Sequence, residues 1–148
     1  MFATILVGTD GSDTAATAVS EAAALAARLG ARLLIVSAYA PVAAQRLRAE
    51  RQALPGDAQW MIGPREDVLA LLDAARASAM KMGLSAVDTF ARQGDPADSI
   101  IDVAEEQNCD LIVVGNRGMT GAKRFLLGSV PNKISHHAPC SVLIVRTS

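Results

Sequence analysis

The sequence predicts an α/β fold: one domain with a parallel sheet of five strands, covered by helices on both faces. Three observations carry that expectation. Short apolar runs alternate with Ala-rich amphipathic segments along the whole chain. The clearest runs, Ile5-Leu6-Val7, Leu33-Leu34-Ile35-Val36 and Leu111-Ile112-Val113-Val114, are apolar at consecutive positions, as strands buried on both faces must be. Glycine or proline marks most junctions between them. At 148 residues the chain has room for a single domain, 1–148, and none for a second.

The elements follow in order. Thr4-Ile5-Leu6-Val7-Gly8 reads as the first strand, and Asp10-Gly11-Ser12-Asp13 as a turn with Ser12 or Asp13 as helix N-cap. In residues 14–29, Ala15, Ala18, Val19, Ala22, Leu25, Ala26 and Leu29 recur at helical spacing, and Gly30 stops the helix. Residues 32–39 form the second strand. Residues 41–64 are the least regular stretch, with Pro41, Pro55, Gly56, Gly63 and Pro64 around a polar patch that suits a short helix. Its length points to a lid, an interface or local disorder. Trp60 lies within it, readable as a ligand cover or a dimer seam. Residues 65–82 predict a helix with Val68, Leu69, Leu72, Ala75, Ala79 and Met82 inward. A weaker third strand covers 86–91. Gly94-Asp95-Pro96 opens the next helix, with Asp95 as N-cap and Pro96 at the first helical position, and it runs to about Gln107. Leu111 to Val114 is the fourth strand, a Gly-rich loop begins at Gly115, and a last helix runs from near Gly128 to before Pro139. Val142-Leu143-Ile144-Val145 is the fifth strand.

Composition narrows the function classes. With 51% hydrophobic and 20% charged residues, a disordered or solvating chain is excluded. No apolar stretch is long enough for a membrane span, and the start has no basic region of a signal peptide. Two cysteines do not make a disulfide scaffold. Cys109 and Cys140 each stand just ahead of a strand and are expected as reduced thiols in a cytoplasmic protein. A net charge of −1 argues against a nucleic-acid binder. The charge is unevenly spread, however. Residues 111–148 contain Arg117, Lys123, Arg124, Lys133 and Arg146 and no acid. That segment suits a small anionic ligand, or is a chance run of surface cations.

Ligands of open parallel sheets sit beyond the carboxyl ends of the strands. Two such loops are unusual here: Gly8-Thr9-Asp10-Gly11-Ser12 and the run from Gly115 through Gly118 to Gly128-Ser129-Val130. Glycines let backbone approach a ligand, and a helix start presents N–H groups and a favourable dipole to an anion. Together these parts suit a polyphosphate. Against this, Gly115 can merely end a strand and Gly128 merely begin a helix. Asp10 can be a turn residue, or it can bind a nucleotide or water-coordinated Mg²⁺. Arg117, Lys123 and Arg124 read as a solvated face or as phosphate ligands. His136 and His137 are adjacent and lack the i, i+4 spacing of a zinc pair, so they read as cations at a helix C-terminus. No metal site and no catalytic base stands out apart from Asp10.

The dinucleotide fingerprint and the P-loop are both absent. The pattern that stands, Gly115-x2-Gly118-x9-Gly128-Ser129, resembles the nucleotide-binding signature of the universal stress protein family. The opening Ile5 to Ser12, Gly94-Asp95-Pro96, Asp110 to Gly115 and His137-Ala138-Pro139-Cys140-Ser141-Val142-Leu143-Ile144-Val145 are similar to that family too, so the resemblance spans the chain. It is weakest over 41–64. The resemblance implies a Rossmann-like open sheet in the order 3-2-1-4-5, with ATP in the crevice between the first and fourth strands. AMP or cyclic AMP fits the same motif, and Mg²⁺ is an allowed companion. Gly8, Thr9, Asp10 and the backbone near Ala38 would meet base or ribose. Val114 and Gly115 would meet ribose and phosphate, and Gly118, Gly128, Ser129 and Val130 the phosphates, with Arg117 beside them a further candidate binding residue. It further implies a homodimer through the fifth strand, Val142 to Val145. The expected function is regulatory binding in the stress response. A slow ATPase or self-phosphorylating enzyme is the alternative.

Overall fold

The computed structural model describes residues 1–40, 65–116 and 128–147. Among these residues nine elements alternate: β1 (Thr4–Gly8), α1 (Asp13–Leu29), β2 (Arg32–Tyr39), α2 (Arg65–Met80), β3 (Val87–Gln93), α3 (Pro96–Glu106), β4 (Leu111–Gly115), α4 (Ser129–His137) and β5 (Ser141–Val145). The strands form one sheet in the order β3-β2-β1-β4-β5, and every pair is parallel. That is the predicted fold class and strand order.

The consecutive apolar positions fill two cores. In β1, Ile5 and Val7 point to the α1/α2 side, with Leu33 and Ile35 of β2 and Leu111 and Val113 of β4. The residues between them, Leu6, Leu34, Val36, Ile112 and Val114, join Ile100, Val103 and Ile134 on the α3/α4 side. Each central strand therefore buries both faces, which is why no polar alternation survives in its sequence. Small residues line the contact: Ala18, Ala22, Ala23 and Ala26 of α1 are fully buried and let the helix lie close on the sheet.

Local chemistry sets the helix ends. Ser12 caps α1, its hydroxyl accepting from the Ala15 amide, and Gly30 closes the helix at φ 65°. Asp95 caps α3, accepting from the Asp98 amide at 2.9 Å, with Pro96 in the first turn. At the opposite end of the sheet, the Asp110 carboxylate accepts from the amides of Ala3 and Thr4 at 2.8 and 3.0 Å and pins the start of β1 to β4.

Two residues expected inside face out. Leu69 is 40% exposed and Met82 41%. Leu69 sits one residue from the buried Val68, a rotation of about 100° around the helix, and Met82 lies beyond the end of α2 at Met80. Residues 41–64, including Trp60, lie outside the described residues, as do Arg117, Gly118, Lys123 and Arg124. No helix among the described residues is long and apolar enough to cross a membrane.

Candidate functional site

The chain builds β1, β2 and β3 outward on one side, then returns to place β4 and β5 on the other. The strand order therefore reverses between β1 and β4, where an open sheet leaves a crevice at its carboxyl end. Val7 pairs with Val113, so Gly8 comes beside Val114 at the mouth of that crevice. Ala38 lies near the end of β2, buried, with its backbone at the same end of the sheet.

Several of the bonds that shape the loop after β1 come from its own polar groups. The Thr9 amide donates to the Val36 carbonyl at 3.0 Å, extending the β1–β2 ladder by one residue. Thr9 Oγ1 accepts from the Gly11 amide at 3.2 Å. Asp10 is 4% exposed, and its Oδ1 accepts from both the amide and the hydroxyl of Ser12, at 2.9 and 2.5 Å. That oxygen serves the turn. The other, Oδ2, is buried and has no partner among the described residues, and the buried Ser37 hydroxyl has none among them either. A buried, unpaired carboxylate oxygen costs on the order of 1–3 kcal/mol. One oxygen of Asp10 is thus a turn acceptor, as one reading of the residue expects, and the other has no partner among the described residues.

The second half of the site is the start of α4. Gly128 is its N-cap, at φ −62° and ψ 165°, and as a glycine it brings no side chain to cap the helix. The Gly128 amide donates to the Asn116 carbonyl at 3.0 Å, which sets the helix start against the end of β4. The first turn presents the amides of Ser129 and Val130, but Pro131 follows and carries no N–H. The cradle is therefore narrower than a count of helical positions suggests. Pro131 signalled this in the sequence through its missing donor.

Asp10 is not the only carboxylate near this end of the sheet. Asp95 and Asp98 at the start of α3 reach Lys133 of α4, with Nζ at 3.4 Å from Asp95 Oδ2 and 2.8 Å from Asp98 Oδ1. Asp95, Pro96, Ala97, Ser129, Val130 and Lys133 line a cavity of about 120 Å³. The hydrogen bond to Asp98, aided by Asp95, holds the Lys133 ammonium above its ordinary value. A segment free of acids in sequence is thus neighboured by acids in space, because α3 and α4 pack side by side on one face.

A larger groove of about 390 Å³ lies elsewhere, between α1 and α2, and meets the β1 loop only at Thr9, Gly11 and Ser12. It is mostly apolar in lining, with Leu71, Ala75 and Met82 among its walls, and holds no charged group. The start of α4 lies outside it.

The structure brings Gly8, Thr9, Asp10, Ala38, Val114, Gly115, Gly128, Ser129 and Val130 to the carboxyl end of the sheet. Arg117 and Gly118 lie outside the described residues. Among the described residues, no group of three or more His, Cys, Asp or Glu is arranged to hold a metal ion. His136 and His137 occupy the last turn of α4, with ring centroids 6.4 Å apart.

The profile of the universal stress protein family matches residues 1–146. A universal stress protein of Mycobacterium tuberculosis is 36% identical over 147 residues, which cover 99% of this chain and 98% of that protein. One of Thermus aquaticus is 37% identical over 164 residues, covering 99% of this chain and all of that one. Among solved structures, a universal stress protein in complex with cAMP is 31% identical at a TM-score of 0.75, with 99% of each chain covered. UspA from Lactobacillus plantarum is 26% identical at a TM-score of 0.77, with 98% of each chain covered.

Proposed function

This chain belongs to the universal stress protein family, and from that premise we propose that it is an adenine-nucleotide-binding regulatory protein of the stress response, with ATP as its ligand. The observation that carries the reading is the Asp10 carboxylate, buried at the β1–β4 switch point with no partner for Oδ2 among the described residues, at the same end of the sheet as the start of α4, whose N-cap Gly128 brings no side chain. Oδ2 suits a donor: the exocyclic amine of a base, a ribose hydroxyl or the water shell of Mg²⁺. The amides of Ser129 and Val130 suit phosphate oxygens. The relative solved with cAMP supports an adenine ligand and favours a second reading, in which a cyclic monophosphate occupies the same parts.

The protein acts as a binder rather than an enzyme. Amides at a helix start hold ground state and transition state about equally, and uniform binding does not speed chemistry. Efficient phosphoryl transfer needs a positioned base and a charge stabiliser at the γ-phosphate. The carboxylates beside α4 are engaged with Lys133. The working form is a cytoplasmic homodimer joined through β5, without nucleic acid as partner.

Mass spectrometry of natively purified protein tests the ligand: a co-purified adenine nucleotide is expected. Release of labelled phosphate from ATP with Mg²⁺ should stay below about 1 s⁻¹. Faster steady turnover, lost in Asp10→Asn, overturns the binder reading.

A further inference from the structure

Asn116 holds three parts of the chain at once. Its amide donates to the Val145 carbonyl at 2.9 Å, and its carbonyl accepts from the Gly128 amide at 3.0 Å. Its side-chain Oδ1 accepts from both the amide and the hydroxyl of Thr147, at 2.8 and 2.9 Å. Asn116 is the residue after β4, Gly128 is the cap of α4, and Thr147 lies just past β5.

We infer that Asn116 and Thr147 form a strap that positions the start of α4, so that Thr147, which is none of the residues at the crevice, sets the affinity for a nucleotide's phosphates. The inference rests on the nucleotide reading above. Its physical basis is a chain of dependence. The start of α4 is tied to β4 by the bond from Gly128 to Asn116. Asn116 in turn is held by the end of β5 through its backbone and by Thr147 through its side chain. An amide oxygen has two lone pairs, and here both are used by one residue. Charge-assisted hydrogen bonds to phosphate depend steeply on distance and angle, so slack in Asn116 reaches the Ser129 and Val130 amides directly. The nucleoside end of the crevice, around Asp10 and β2, has no hydrogen bond to Asn116 or Thr147.

That asymmetry supplies the test. Thr147→Ser keeps both donors, Thr147→Val removes the hydroxyl, and Thr147→Pro removes both. Calorimetry on the full chain compares ATP with adenosine, which has no phosphate. The Kd for ATP should be unchanged in Thr147→Ser, rise about threefold in Thr147→Val, and rise about tenfold in Thr147→Pro and Asn116→Ala. Adenosine should shift less than about twofold in each. Parent-like ATP binding in Thr147→Pro overturns the strap. Loss of ATP and adenosine in step also overturns it, because a general structural role would produce that result. Hydrogen exchange in the ligand-free chain gives a separate measure. The Gly128 and Asn132 amides, which donate to Asn116 and Gly128, should exchange about tenfold faster in Thr147→Pro and not in Thr147→Ser. Unchanged exchange overturns the strap whatever binds. A parent chain that binds neither probe overturns the nucleotide reading, and the exchange result then decides the strap alone.

Discussion

Leu71 lies directly against Gly11: a Cβ added to Gly11 would stand 2.6 Å from Leu71 Cδ1. Gly11 also has φ +82°, in the left-handed region. The positive φ favours glycine in the loop that carries Asp10, and a Cβ there would in addition have to displace the end of the Leu71 side chain of α2. Gly11→Ala should destabilise the fold by about 1–3 kcal/mol through backbone strain plus the clash. In a Leu71→Ala background the clash is gone and only the strain remains, so the two substitutions should be non-additive in urea unfolding. Strict additivity would show that the contact carries no energy.

Asp10→Asn should separate stability from binding. The amide oxygen can still accept from Ser12, while the unpaired, buried oxygen is replaced by an uncharged donor. The ligand-free melting temperature should hold or rise, because a buried charge has been removed. Affinity for adenine nucleotide should fall about tenfold or more, because a donor on the ligand now meets a donor on the protein. Calorimetry and thermal melts on the same sample check both halves. Unchanged affinity would place Asp10 in the turn alone.

The thiols should be inert in the folded chain. Burial, with smaller contributions from Cys140 and Asp110, pushes Cys109 up to about 11, and burial also pushes Cys140 up. Iodoacetamide at pH 8 should label both slowly when folded and fully in urea. The Cys109 thiol also makes stability depend on pH. The unfolded thiol ionises near its ordinary value of 9.0, while the folded one keeps its proton to about 11. Its contribution is therefore whole below pH 9 and is lost as pH rises towards 11. Denaturant melts between pH 8 and 11 should show that fall, and Cys109→Ala should flatten it.

The edge strand β5 bears on the proposed dimer. Val142 and Ile144 pack partly on the α3/α4 core, whereas Leu143 is 41% exposed. An apolar edge is a pairing surface. Leu143→Lys should therefore shift the light-scattering mass towards the 15.4 kDa monomer without the core damage that a lysine at Val142 or Ile144 would cause. A parent chain already monomeric at micromolar concentration would remove the dimer from the proposed function.

Much of the fold was legible in local sequence. Ser12 and the pair Asp95-Pro96 announce helix starts because capping is a contact between near neighbours. The apolar runs announce strands covered on both faces. The strand order came from family resemblance, since periodicity says nothing about which strands are adjacent. Leu69 and Met82 face out although their spacing suits the core, because an apolar residue at the flank or end of a helix fits the periodicity without facing inward.

By itself the sequence determined the alternation of elements, their caps, the two-sided burial of the central strands, and the glycine-rich pattern that leads from β4 to α4. Each is an interaction within a few residues, or a property of one strand. Only the tertiary structure decided that Lys133 meets Asp95 and Asp98, that Leu71 meets Gly11, and that Thr147 holds Asn116. Each of those contacts joins residues brought together by the order and register of the sheet. Such contacts depend on packing summed over the whole core, which no local pattern of residues records.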